Sequence, residues 1–216
     1  MAKEIIRVQL AAFFDNEYSG KHDKIMTKIV DILGESQSTQ LFPIPVEAPG
    51  EIPRLMLFYK DYQINVSKNR ADLFSSDLKK NKTDFEKILQ IIKAQARISY
   101  KRVGYVKNLF IDKSIDYFKE AISVESIKRR TLTEATVRVN FTTTVDGYDC
   151  NNSEDVSYGF IEKKEDENKT RKLSGLIITK DINTLPEDDY TFDEKDVISL
   201  AVKFDEISEE IMLVGE

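Results

Sequence analysis

An α+β fold is what this sequence predicts: a ferredoxin-like two-layer part over residues 1–125, then an antiparallel β-meander closed by a long amphipathic helix over residues 126–216, the two compatible with one continuous sheet. Three observations carry the prediction. Apolar residues recur at helical spacing in some stretches and at strand spacing in others. A proline-rich segment, "LFPIPVEAPGEIP", separates the first helix from a run of short strands. The charge balance is +6 over residues 1–130 and −12 over residues 131–216, which together make the chain's −6.

Residues 4–14, "EIIRVQLAAFF", read as a buried strand. Ile25, Ile29, Ile32 and Leu33 then share a helical face, and Gly34 supplies the stop. Pro43, Pro45, Pro49 and Pro53 forbid helix and force an extended path. "RLMLFY" and "YQINVS" read as a hairpin around Lys60-Asp61, with a third short strand at residues 71–74. Thr83 and Glu86 form a capping box for a helix striped with Phe85, Ile88, Leu89, Ile92 and Ala96. A strand is expected over residues 98–111, followed by a short helix, "KSIDYFKEAI", capped by Asp112.

The second part opens on "TEATVRVNFTTTV", which sets Val137, Val139, Phe141 and Val145 against Arg138, Asn140, Thr142 and Thr144. Two more strands follow, "EDVSYGFIEKK" and "TRKLSGLIITKDIN", joined by a charged hairpin. A capping box at Thr191 and Glu194 begins the last helix, with Val197, Leu200, Ala201, Phe204, Ile207 and Ile211 facing inward. Any division between the parts falls near residues 123–132.

In this order of elements the chain resembles a sporadically distributed family of uncharacterised bacterial proteins. The matching segments are "RVGYVKN" and "TKDIN" within a layout of strand, helix, proline-rich loop, short strands, helix, strand and closing helix. The resemblance implies fold and bacterial origin, and it assigns no catalytic residue.

Composition narrows the chemistry. No window approaches a membrane span, and "MAKEIIRVQL" reads as a strand and not an export signal. The lone cysteine, Cys150, fits a reducing compartment, so a cytoplasmic protein is expected. A single histidine, His22, read as an exposed first-turn residue, leaves little from which to build a nucleophilic triad or a histidine-bearing zinc site. The eight glycines form no phosphate-cradling cluster. No cofactor and no metal are expected.

Two chemistries remain as alternatives to a non-enzymatic protein that binds another protein, or itself, in a defence or toxin-related setting. One is a metal-dependent nuclease: Glu162 and Lys164 share a face at a strand end, with Asp146 or Asp149 on the neighbouring segment as a further carboxylate for Mg²⁺. The other is nucleic-acid binding by the basic strand 97–107, through Arg97, Lys101, Arg102, Tyr105 and Lys107. Plain alternation splits these, with Arg97, Lys101, Tyr105 and Lys107 on one side and Tyr100 and Arg102 on the other. The polar row Arg138, Asn140 and Thr142 is a further candidate, able to meet a partner strand or a second copy.

Overall fold

A computed structural model describes residues 3–45, 47–121, 136–166, 169–186 and 189–212, without the side chains of 164–166 and 169. Nine strands make one antiparallel sheet: β1 (Lys3–Phe14), β2 (Ser38–Leu41), β3 (Leu55–Phe58), β4 (Tyr62–Val66), β5 (Arg70–Ser75), β6 (Tyr100–Ile111), β7 (Thr136–Val145), β8 (Tyr148–Asp166) and β9 (Lys169–Thr184). The helices are α1 (His22–Leu33), α2 (Leu78–Ala96), α3 (Ile115–Ala121) and α4 (Glu194–Ile207). The strand order is β2-β3-β4-β5-β1-β6-β9-β8-β7, so the sheet runs unbroken from the first part into the meander through the β6–β9 ladder. The expected division at residues 123–132, which contains the basic run "IKRR" at 127–130, lies outside the described residues.

Four strands, not three, stand between α1 and α2. The extra one, β2, is short and wholly exposed, and it pairs with β3 just ahead of the proline-rich loop. Its "STQL" has no apolar alternation to announce it.

The helices pack on one face of the sheet. Leu10, Ala12, Leu57, Ile64, Leu73 and Tyr105 meet Ile25 and Ile29 of α1, Phe85, Ile88 and Ile92 of α2, and Val197, Ala201 and Phe204 of α4 in one apolar core. A smaller cluster joins Phe118 of α3 and Ile211 to Leu109, Ile111, Val156, Leu176 and Ile178. Strand side chains alternate, so the same alternation that fills this core sends Arg7, Gln9, Phe13, Arg70, Arg102, Asp181 and Asn183 to the opposite face. Among the described residues no helix covers that face.

Three helix starts differ from the expected ones. Asp77, accepting from the Lys80 N–H at 3.0 Å, begins α2 six residues before Thr83. Asp193 begins α4 in a capping box with Asp196, displacing Thr191 and Glu194. Ser114 accepts from the Tyr117 N–H at 3.2 Å, where Asp112 was expected to cap α3. In each case a nearer acceptor satisfies the orphan amides of the first turn.

β8 and β9 outrun their neighbours. β7 pairs with β8 as far as Ser157, and β6 pairs with β9 from Leu176 onward, so, among the described residues, 158–166 and 169–175 continue as a two-stranded arm. No described helix long and apolar enough to cross a membrane exists in this chain.

Candidate functional site: the open sheet face

The uncovered face is built from rows that cross the strands in register. Arg70, Phe13 and Arg102 form one row. The next holds Asp72, Ala11, Gly104, Asn183, Asn151 and Thr142, and the one after it Phe74, Gln9, Val106, Asp181, Ser153 and Asn140. The two smallest side chains, Ala11 and Gly104, lie side by side, and there the surface sinks. A depression of about 180 Å³ is lined by Gln9, Ala11, Phe13, Arg70, Arg102, Gly104, Val106, Asp181 and Asn183. A Cβ at Gly104 would sit 3.5 Å from the Phe13 ring and 3.7 Å from Ala11, so glycine here keeps the floor low and relieves no clash. A second depression of about 340 Å³ adjoins it, sharing Arg102, Asp181 and Asn183 and adding Arg138, Asn140, Asn151 and Ser153.

Cations and carboxylates share this face, with Arg70, Arg102 and Arg138 standing beside Asp72, Asp181 and Asp155. Arg102 lies with its guanidinium 4.9 Å from the Phe13 ring centroid and donates through Nη2 to Asn183 Oδ1. Its Nε is buried without a partner among the described residues, a donor whose desolvation is uncompensated. Arg70 approaches the other side of Phe13 at 5.7 Å, and Arg7 covers Phe74 at 3.9 Å. Arg70 is partly neutralised by Asp72 at 2.9 Å, to which Gln9 also donates at 2.9 Å. Burial pushes the Asp72 carboxyl above its usual range, against the pull of Arg70 and Gln9. Arg138 reaches Asn140 at 3.2 Å and Asp155 at 3.4 Å. Guanidinium planes over aromatic rings, flanked by amides, can stack on flat groups and pair with phosphates or carboxylates.

The expected basic strand is corrected in detail. Arg97 is not on it: this exposed residue ends α2 in the left-handed conformation, φ 55°. β1 pairs Phe14 with Tyr100 and Phe13 with Arg102, which leaves Lys101 as an exposed bulge residue. The bulge breaks the alternation, so Tyr100 turns into the core and donates to the Leu89 carbonyl at 2.7 Å while Arg102 stays on the open face. Tyr105 and Lys107 face the helices. The Tyr105 hydroxyl donates to Asp205 Oδ1 at 2.5 Å, and Lys107, fully buried, bridges Asp205 at 3.0 Å and Glu209. Beside it Lys180 meets Glu154 at 2.6 Å with both side chains at most 2% exposed. These groups anchor α4 and the segment after it to the sheet, and a nucleic acid cannot reach them.

The nuclease arrangement is not assembled. Asp149 and Glu162 stand thirteen positions apart on the same strand, about 40 Å of extended chain. Asp149 is exposed and accepts from Thr144 Oγ1 at 2.9 Å, while Glu162 lies on the arm opposite Lys172. The side chain of Lys164 lies outside the described residues. Among the described residues no three His, Cys, Asp or Glu side chains converge as a metal site requires.

His22 is buried, not exposed. Its Nε2 lies 3.3 Å from the Ser67 carbonyl and its ring packs edge-on against Tyr18. It lines a groove of about 590 Å³ with Lys21, Arg54 and Lys68. Two of the groove's cations are committed to structure: Arg54 donates to the carbonyls of Ile52 and Pro45, and Lys68 lies 3.7 Å from Glu17. Cys150 is buried, and burial, reinforced by the Asp149 charge, pushes its thiol up to about 11. Such a thiol is a poor nucleophile near neutrality.

Thus the structure brings together Arg102, Arg138 and Asn140, with Thr142 at the margin, and joins to them Gln9, Phe13, Arg70, Asp181 and Asn183, which the sequence reading missed. The signal was present in "VQLAAFF", whose alternate residues form the open face, and in Gly104, since glycine inside a strand marks a low surface or a close approach. No family model matches the chain, and no curated protein matches it.

Proposed function

We propose that this chain is a non-enzymatic binding protein that holds a macromolecule on the open face of its sheet, and that the ligand class is a single-stranded nucleic acid. The observation that carries the reading is the Arg70–Phe13–Arg102 row above a floor of Ala11 and Gly104. Stacking groups and cations converge there on one accessible surface, as a single-strand platform needs. Gln9, Asp181 and Asn183 offer donors and acceptors to a base edge, and Arg138 extends the cationic track into the second depression.

Two further points support the reading. The segments "RVGYVKN" and "TKDIN", on which the bacterial family resemblance rests, pair side by side and supply Arg102, Gly104, Asp181 and Asn183. The order β6-β1-β5-β4 with α1 and α2 on one face supports a ferredoxin-like first part, whose free face is the platform. A defence or toxin-related setting fits a sporadic bacterial family and a protein of this kind.

The test is fluorescence anisotropy with labelled single-stranded RNA, single-stranded DNA and duplex. Single strands should bind and duplex should not. With Arg70, Arg102 and Arg138 as phosphate partners, log affinity should fall against log salt with a slope of about −2. Phe13→Leu keeps an apolar side chain but removes the ring, and should cost about 1–3 kcal/mol. Absence of single-strand binding at low salt, or binding unchanged in both Arg102→Gln and Phe13→Leu, sinks the proposal.

A further inference from the structure

β7 ends the strand order, and among the described residues nothing pairs with its outer side. Its ten residues, "TVRVNFTTTV", include one charge and no proline, glycine or lysine, and its ladder with β8 shows no bulge. These are the devices by which exposed edges normally resist pairing, and here they are missing.

The turn after β7 tells which backbone groups point outward. Asp146 and Gly147 both have positive φ, 51° and 86°, as in a two-residue type I′ hairpin. In such a hairpin the closing pair, here Val145 and Tyr148, exchanges both its backbone hydrogen bonds. By alternation Val137, Val139, Phe141 and Thr143 also turn their N–H and C=O toward β8. Thr136, Arg138, Asn140, Thr142 and Thr144 turn theirs outward.

We propose that this edge pairs antiparallel with the β7 edge of a second copy, about a two-fold axis at Asn140. In that register Thr136 meets Thr144 of the second copy, Arg138 meets Thr142, and Asn140 meets its own counterpart. All five outward-facing residues are then paired; a shift of two positions leaves one at each end unpaired. Val139 falls opposite Phe141 and Val137 opposite Thr143, which continues the half-buried apolar row across the axis. The strand's one charge faces a hydroxyl, so no like charges oppose one another. This self-complementarity is what an isologous contact requires, and it selects a second copy over a foreign strand. The two nine-stranded sheets become one, with the depression beside Arg138 and Asn140 repeated on either side of the axis. The inference is independent of the ligand proposed above.

Sedimentation velocity on the full chain tests it, at roughly 100 μM, well above the micromolar dissociation constants of small interfaces. The wild type should be a dimer. Asn140→Lys places lysine against lysine at the axis and should be a monomer. Since Asn140 is exposed, the variant's fold should be shown intact by a melting curve that matches the wild type's at protein concentrations low enough to dissociate the dimer. Asn140→Cys should cross-link under mild oxidation, because hydrogen-bonded antiparallel pairs hold their Cα atoms about 5.5 Å apart, within disulfide reach. The native Cys150 is buried and does not compete; Lys101→Cys, exposed on another strand, should stay unlinked. A monomeric wild type, a dimer that survives Asn140→Lys, or a dimer in which Asn140→Cys fails to link each overturns the proposal.

Discussion

Replacing Lys180 with methionine separates the energetics of a sealed ion pair from those of a wet one. The Lys180–Glu154 contact is 2.6 Å long, with side-chain exposures of 2% and 0%. Glu154 also accepts from the Met212 N–H at 3.0 Å. Without the ammonium, the carboxylate stays in the interior, still accepting from the Met212 N–H but deprived of this cation. Breaking one side of such a pair costs about 3–5 kcal/mol. With a urea m-value of about 2–3 kcal/mol/M, the midpoint should fall by about 1–2 M. The pair as a whole contributes far less than its rupture suggests, because both charges were desolvated to form it. Lys180→Met combined with Glu154→Met should therefore recover most of the loss, to within about 2 kcal/mol of wild type. Lys163→Met supplies the contrast: its partner Glu4 is at 2.9 Å, but both side chains are about half exposed, and the cost should stay below about 1 kcal/mol. Urea titration followed by circular dichroism reads the wild type, Lys180→Met, Glu154→Met, their double and Lys163→Met. A Lys180→Met cost under about 1 kcal/mol, or a double variant as damaged as the sum of its singles, would show that the charges are not coupled as described.

Two other measurements probe the scaffold. Burial, aided by the Arg54 charge, holds the His22 imidazole below its ordinary value, against the pull of the Ser67 carbonyl. The unfolded chain then takes up a proton first as pH falls, so the stability from His22 is fully present above about pH 6.5 and declines below it until the folded-state value is reached. Melting temperatures across pH 7.5–5.5 should fall more for the wild type than for His22→Gln; parallel curves refute this. Asp193→Ala removes acceptors for the Lys195 and Asp196 amides, each at 2.8 Å, and should cost about 1 kcal/mol by the same urea titration. A loss under a few tenths would mean that water serves the α4 terminus equally well.

The alternating strands and the striped helices were legible in the sequence because burial imposes its period directly on the residues. The meander order and the inward stripe of α4 followed from that period alone. What the sequence hid was displacement from regular periods. The bulge at Lys101 placed Tyr100 and Arg102 on opposite faces, and helix caps moved to Asp77 and Asp193, where nearer carboxylates were on offer. Lys107 and Lys180 look like surface residues in any one-dimensional reading; Asp205, Glu209 and Glu154, distant along the chain, are what allow them inside. The candidate site was hidden for a related reason. Its arginines come one each from four strands, Arg70, Arg7, Arg102 and Arg138, and no linear motif gathers them.

β1 lies in the middle of the sheet, yet its two neighbours arrive late: β5 begins at Arg70 and β6 ends at Ile111. Nearly a hundred residues of synthesis separate Phe14 from the completion of that pairing, or about 5–20 s at ribosomal speeds. Throughout that interval Val8, Leu10 and Phe14 form a sticky ribbon with both edges bare. The nascent chain is then most in need of a chaperone, and most vulnerable to joining its neighbours on a polysome.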